Sequence, residues 1–280
     1  MEVRAWAKIN LTLEVLGKRP DGYHDVSTVL QTISLFDTLS FEPAEELVLE
    51  SPGLSFGPEE NLVFTAASAL RQRSPHHPGA RMRLQKGIPV AAGLGGGSSD
   101  AAATLLALNE MWGLGLSRAK LEAIAAGLGS DVPFFLTGGT ALATGRGERV
   151  TPLPPLPETW LVVVKPPIPT PRDKTRRLYS LLDAASFTDG SHTRRLVEAL
   201  EQGRLAPDML FNAFDAVAPR AFPGLGAYRD ALRQAGAASV HLAGSGPTLF
   251  ALVESKEAAE RVGEALGRTG LQSSQARTVS

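Results

Sequence analysis

The clearest chemistry in this 280-residue chain lies in the run Pro89, Val90, Ala91, Ala92, Gly93, Leu94, Gly95, Gly96, Gly97, Ser98, Ser99, which leads through Asp100 into an Ala-rich stretch. Four glycines let backbone N–H groups turn toward an anion and approach it closely. A helix starting directly after them adds unpaired N–H groups and the positive end of its dipole. Ser98 or Ser99 is the expected N-cap, with Asp100 in the first turn. Phosphate is the guest that suits this loop, and Ser98 and Ser99 add hydroxyls for phosphate oxygens or a metal. The loop is not a Walker A motif, because no Gly-Lys-[Ser/Thr] closes it. Counted from Gly93, the G-x-G-x-x-G pattern ends on Ser98 instead of glycine.

Two further segments carry weaker signals. Asp131, in Gly129-Ser130-Asp131-Val132-Pro133-Phe134, stands between a helix-stopping glycine and an apolar run. Alone it reads as a helix cap. Gly244-Ser245-Gly246-Pro247-Thr248 reads as a hairpin turn between two short strands.

Composition removes other chemistries. The chain has no cysteine, so thiol nucleophiles, disulfides and Cys-ligated metals are excluded. No histidine pair has metal-ligand spacing. His76 and His77 read as solvated, His192 as a helix-start residue and His241 as structural. Arg172, Arg176 and Arg177 read as a solvated face. With 28 basic and 29 acidic residues the net charge is -1, which gives no electrostatic footprint for nucleic acid. No apolar run approaches the ~18 residues of a membrane span. The first residues lack a signal peptide's apolar block, so a cytoplasmic protein is expected.

The elements that must position these groups follow from periodicity. Ala7, Ile9, Leu11, Leu13 and Val15 alternate with Lys8, Asn10, Thr12 and Glu14, predicting a half-buried strand whose polar face carries Lys8, Asn10 and Thr12. A turn-rich loop around Pro20-Asp21-Gly22 leads to β structure over 26–41. Helices are expected over 61–73, from Ser98 to about Trp112, and from Ser117 to about Gly127. A strand is expected near 81–86, and a short helix and hairpin after Ser130. Four prolines in 151–159 mark the best interdomain crossing. Beyond it, strands are expected over 160–164, 240–242 and 249–253, with helices over 193–202, 228–234 and 256–266.

Taken together and in order, these segments resemble the GHMP small-molecule kinases. The resemblance rests on Ala7-Lys8-Ile9-Asn10-Leu11, Pro20-Asp21-Gly22-Tyr23-His24, Gly93 to Ser99, Gly129 to Phe134, and the C-terminal glycine turn. It runs from about residue 5 to residue 253 and is closer to the branch whose substrate is 4-diphosphocytidyl-2-C-methyl-D-erythritol. The resemblance implies an α+β, two-domain fold, with an N-terminal ribosomal-protein-S5-like domain (1–155), a C-terminal α/β-sandwich domain (156–280) and the active site in the cleft. It implies ATP, with Mg2+, phosphorylating the substrate's 2-hydroxyl in the non-mevalonate route to isoprenoid precursors. Lys8 and Asp131 would be the catalytic pair, and 89–99 would wrap the ATP phosphates. Asn61 and Lys86 match positions near the adenine. Tyr23 and His24 would read the cytosine, and Asn10 would touch the methylerythritol.

Two departures stand out. Ala243 occupies a place where the family often has serine. The second stacking aromatic depends on aligning Thr170 or Thr175, and Thr175 places Tyr179 there. Magnesium ligands are not legible beyond Ser98 or Ser99. Another GHMP kinase, of homoserine or mevalonate type, and a non-catalytic nucleotide-binding relative are the alternatives. The Tyr23-His24 loop argues against the first, and the presence of both Lys8 and Asp131 against the second.

Overall fold

The computed structural model describes every residue except Ser55, Phe56, Pro75, His77 and Arg172. The expectations for His77 and Arg172 therefore lie outside the described residues. Two compact units interleave along the chain. The first comprises Met1–Ala7, Leu35–Val90 and Gly95–Gly138, and the second Lys8–Ser34, Ala91–Leu94 and Gly139–Ser280. The long strands β1 (Glu2–Lys18) and β2 (His24–Ala44) contribute residues to both.

The first unit adds β3 (Leu47–Glu50), α1 (Leu62–Arg71), β4 (Gly79–Gln85), α2 (Gly96–Met111), α3 (Arg118–Leu128) and α4 (Val132–Thr137). β4 pairs antiparallel with residues 38–44 of β2, and β3 runs parallel to β4. Ala80, Met82 and Leu84 of β4 are buried while Arg81, Arg83 and Gln85 face outward, the period of two that the sequence shows. Leu39, Phe41, Leu70, Met82, Leu105 and Leu108 belong to this unit's core.

One cap differs from expectation. α2 begins at Gly96, and its N-cap is Gly95, not Ser98 or Ser99. Gly95 has φ +74°, in the left-handed region that glycine enters without a Cβ clash. That turn brings the Ser99 N–H to the Gly95 carbonyl at 2.9 Å, so both serines already sit inside the first turn. Ser117 does occupy the N-cap of α3, but its hydroxyl makes no cap hydrogen bond.

The second unit adds β5 (Thr140–Gly145), β6 (Arg149–Pro152), β7 (Trp160–Val164), α5 (Lys174–Leu181), α6 (Ser191–Glu201), β8 (Phe211–Asn212), α7 (Ala218–Ala221), α8 (Leu225–Gln234), β9 (His241–Leu242), β10 (Leu249–Val253), α9 (Lys256–Arg268) and β11 (Ser274–Arg277). β5 pairs antiparallel with residues 26–31 of β2 and with β6, forming the expected hairpin. β11, β7, β10 and β9 form an antiparallel sheet in that order. A second core includes Val162, Val164, Phe214, Phe222, Leu242 and Leu249.

Within this unit, the polar face of β1 is not half-buried as expected. Lys8, Asn10, Thr12 and Glu14 are all at most 5% exposed. Burial is tolerated because each of these groups finds a partner. The Lys8 ammonium donates to Asn10 Oδ1 at 2.7 Å, and Asn10 Nδ2 donates to Thr28 Oγ1 at 2.8 Å. Thr193 Oγ1 donates to Thr12 Oγ1 at 3.0 Å, and its backbone N–H donates to Glu14 Oε2 at 2.7 Å. Glu14 thereby serves an N–H in the first turn of α6, where a negative charge is favourable. The sequence pattern shows the alternation and a helix over 193–202, but not that this helix, α6, covers the polar side.

Candidate active site

In the second unit, the backbone of Lys8 is tied to the glycine-rich loop, with its N–H donating to the Leu94 carbonyl at 2.9 Å. The loop's arc from Ala91 to Leu94 is tightly wound. Ala91 has φ +55° and Gly93 φ +85°. Gly93 is required here, since a Cβ on it would stand 2.2 Å from the Ala243 carbonyl oxygen and 2.9 Å from the Gly246 nitrogen. The arc therefore packs backbone against backbone on the turn over 243–246. On that turn, a Cβ at Gly244 would stand 2.8 Å from the Gly93 oxygen, 3.1 Å from Lys8 Nζ and 3.2 Å from Asn10 Oδ1. Ala243 is fully buried, so the side chain where the family often has serine faces no solvent here.

In the first unit, Gly95, Gly96, Gly97, Ser98 and Ser99 form the cap and first turn of α2. Their N–H groups give the anion-binding chemistry expected of a helix start. Asp131 occupies the N-cap position of α4, yet its side chain makes no cap hydrogen bond. The bland reading of Asp131 as a cap is therefore not what the geometry shows. Asn61 is the N-cap of α1, with Oδ1 accepting from the Val63 N–H at 3.0 Å.

Lys86 has a role that the sequence did not disclose. Its ammonium is paired with Asp37 and, at 2.8 Å, with Asp100. Asp37 is fully buried, and its other oxygen accepts from the Gly87 and Ile88 N–H groups at 2.7 and 2.8 Å. This trio joins β2, the entry to the glycine-rich loop and the first turn of α2. The signal that could have found it is that Asp37 is the one charged residue in the β run over 26–41.

Burial pushes the Asp100 carboxyl up to about 7, with the Asp37 charge adding to the rise and Lys86 opposing it. The folded chain thus holds a proton that an ordinary aspartate, at 3.8, has released. Stability from this group is greatest below the unfolded value, declines as pH rises through the window, and levels off above about 7. Asp100→Asn is expected to flatten the fall in Tm between about pH 4 and 7. Parallel Tm–pH curves for the two proteins would show that Asp100 does not hold this proton.

Back in the second unit, Tyr23 is 53% exposed, and the Arg146 guanidinium lies 4.7 Å from its ring centroid. His24 stacks on Tyr179 with centroids 4.6 Å apart and planes at 17°, and Phe187 meets His24 edge-on. Burial and, less, the Lys18 charge lower the His24 pKa and favour the neutral ring. Of the two threonines open to alignment, Thr170 donates to the Ile168 carbonyl, whereas the Thr175 hydroxyl meets that of Ser245 at 2.9 Å. Thr175 and Tyr179 both belong to α5. The other described histidines are structural or peripheral. His76 is exposed. His192 stacks on Phe211, and burial drops His241 to about 4. Among the described residues, no group of three or more His, Asp or Glu could hold a metal ion. No described helix is long and apolar enough to cross a membrane.

Comparison with known proteins places this geometry in a family. Residues 61–139 match the GHMP kinases N terminal domain, and residues 196–271 match the GHMP kinases C terminal domain. A 4-diphosphocytidyl-2-C-methyl-D-erythritol kinase of Pelotomaculum thermopropionicum is 47% identical over 274 residues, covering 96% of this chain and 94% of its own. The chain belongs to the 4-diphosphocytidyl-2-C-methyl-D-erythritol kinase family. A kinase of the same name from Dehalococcoides mccartyi is 44% identical over 266 residues, 95% of this chain and 94% of its own. A crystal structure of a 4-(cytidine 5'-diphospho)-2C-methyl-D-erythritol kinase matches over 100% of both chains, with TM-score 0.85 and 38% identity. A homoserine kinase from Cytophaga hutchinsonii shares the fold at TM-score 0.71 but only 18% identity. The α+β GHMP kinase fold expected from the sequence is thus the one observed.

Proposed function

We propose that the chain transfers the γ-phosphoryl group of ATP to the 2-hydroxyl of 4-diphosphocytidyl-2-C-methyl-D-erythritol, in the non-mevalonate route to isoprenoid precursors. The observation that carries this reading is identity of 44–47% over nearly the whole of the two family kinases. Homoserine and mevalonate kinases share the fold at 18% identity or less, which gives no comparable support for their substrates. The family's two domains are assigned to residues 1–155 and 156–280.

Phosphoryl transfer needs an aligned hydroxyl, stabilisation of spreading charge and exclusion of water. Asp131 accepts the hydroxyl proton, a role supported by its place in the family segment Gly129 to Phe134. Lys8 supplies positive charge for the transferring group, held in place by Asn10. Residues 89–99 wrap the phosphates with backbone N–H groups. Because the transition state is loose, the proton can leave late, and a weak base suffices. Asn61 and Lys86 lie near the adenine in this assignment, Lys86 acting from its carboxylate pair.

Mg2+ takes most of its ligands from ATP phosphates and water, so it needs few from protein. The half-buried Ser98 hydroxyl in the first turn of α2 fits that requirement. The ion would neutralise phosphate charge.

Cytosine is read by Tyr23, His24 and Tyr179, and Asn10 meets the methylerythritol. Tyr23→Ala is expected to raise KM for the cytidyl substrate roughly tenfold with kcat nearly unchanged, as loss of one base stack implies. An unchanged KM would remove Tyr23 from the cytosine site. The function itself is tested by ATP consumption with the cytidyl substrate beside homoserine and mevalonate. Turnover only with the cytidyl substrate is expected, and turnover of none would favour a nucleotide-binding protein.

A further inference from the structure

Lys174 is 7% exposed, and its ammonium lies against the turn over 243–246. It donates to Ser245 Oγ at 2.6 Å, to the Gly246 carbonyl at 2.6 Å and, more weakly, to the Ser245 carbonyl at 3.4 Å. A buried ammonium is costly unless acceptors meet its three donors. All three of these acceptors lie on two successive residues of one turn. The Thr175 hydroxyl meets the same Ser245 hydroxyl, so the first turn of α5 grips the loop at two places.

The turn's glycines give it no side-chain anchors of their own. Gly244 and Gly246 have φ of +53° and +61°, and neither has a side chain to anchor it. Its own backbone bonds run from the Gly246 N–H to the Ala243 carbonyl at 2.8 Å and from the Ala243 N–H to the Thr248 carbonyl at 2.9 Å. Asn212 Nδ2 ties it elsewhere, through the Leu242 and Gly244 carbonyls at 3.0 and 2.9 Å. Yet this turn is what Gly93 packs on, and Gly244 is what faces Lys8 Nζ and Asn10 Oδ1. A shift of the turn is therefore felt by the loop arc and by the Lys8 ammonium together.

We propose that Lys174 is a positioning residue for phosphoryl transfer, clamping the Gly244–Gly246 turn that shapes the Ala91–Leu94 arc and the surroundings of Lys8. This rests on the kinase reading above. A misplacement of about 1 Å at a reacting group costs roughly 10²-fold in rate, so a clamp of this kind is read in kcat.

The test uses the full chain with ATP and the cytidyl substrate. Wild-type turnover comes first, and its absence would overturn the kinase reading itself, not the clamp. Given turnover, Lys174→Met is expected to lower kcat about tenfold or more while KM for the cytidyl substrate stays within about twofold. Ser245→Ala, which keeps the buried lysine, is expected to lower kcat about threefold or more and serves alone if Lys174→Met does not fold. The double variant should be no worse than Lys174→Met, because both act through one contact. Two results overturn the clamp. One is kcat within about twofold of wild type in every variant that folds. The other is a rise in cytidyl KM at constant kcat, which would assign Lys174 to holding α5 and Tyr179 instead.

Discussion

Asp131→Asn is expected to lower kcat by roughly 10²–10⁴-fold, the range lost when a general base is removed. KM for both substrates should stay within about twofold, since the amide keeps the shape and most polar contacts of the side chain. Normally, changing a residue at a helix N-cap confounds chemistry with stability. Here the Asp131 side chain makes no cap hydrogen bond to α4, so the substitution removes no cap. Thermal unfolding should therefore remain close to wild type, and steady-state kinetics then report the proton acceptor directly. Near-normal turnover would sink the base assignment.

Gly93→Ala should be the most damaging single methyl group in the chain. Two penalties coincide at this position. With φ +85°, any L side chain is strained, at about 1–2 kcal/mol. The added Cβ would also stand 2.2 Å from a backbone oxygen, Ala243 O, which cannot rotate away as a side chain could. Overpacking of this kind costs about 1–3 kcal/mol and displaces backbone. Turnover should fall at least ~100-fold, because the displaced arc is the proposed phosphate loop. Gly113→Ala separates the two penalties. Its φ is +60° but nothing lies within 4 Å of the added Cβ, so it should show only the strain. Chemical denaturation of both variants beside kinetics checks this, and equal losses would refute the collision.

Local signals were legible in the sequence because they depend on near neighbours. The alternation from Ala7 to Val15 specified a strand, Asn61 marked the start of α1, and the spacing after Lys256 gave α9. What escaped depends on residues far apart in the chain. Asp37 meets Lys86 across 49 positions and Glu14 meets Thr193 across 179, and no periodicity carries such pairings. Short elements escaped for another reason. β8 has two residues and α7 has four, too few to show any period. α5 was missed because its run KTRRLYSL has too few apolar residues to suggest a buried face, although Leu178 and the stem of Lys174 are buried. The site residues are legible through motif resemblance, but the polar groups that hold them, such as Thr28 on Asn10 and Asp37 on Lys86, belong to no motif.

The stack of His24 on Tyr179 has a consequence for ligand discovery. A flat heterocycle that slides between these rings must first separate two partners that already satisfy each other, forfeiting about 0.5–1.5 kcal/mol. The protein is thus its own weak competitor at that spot, and small single-ring fragments will look poorer in screens than their shape suggests. Compounds laid on the open side of Tyr23 carry no such handicap. They should be found first and grown toward the stacked pair only once other contacts offset its opening.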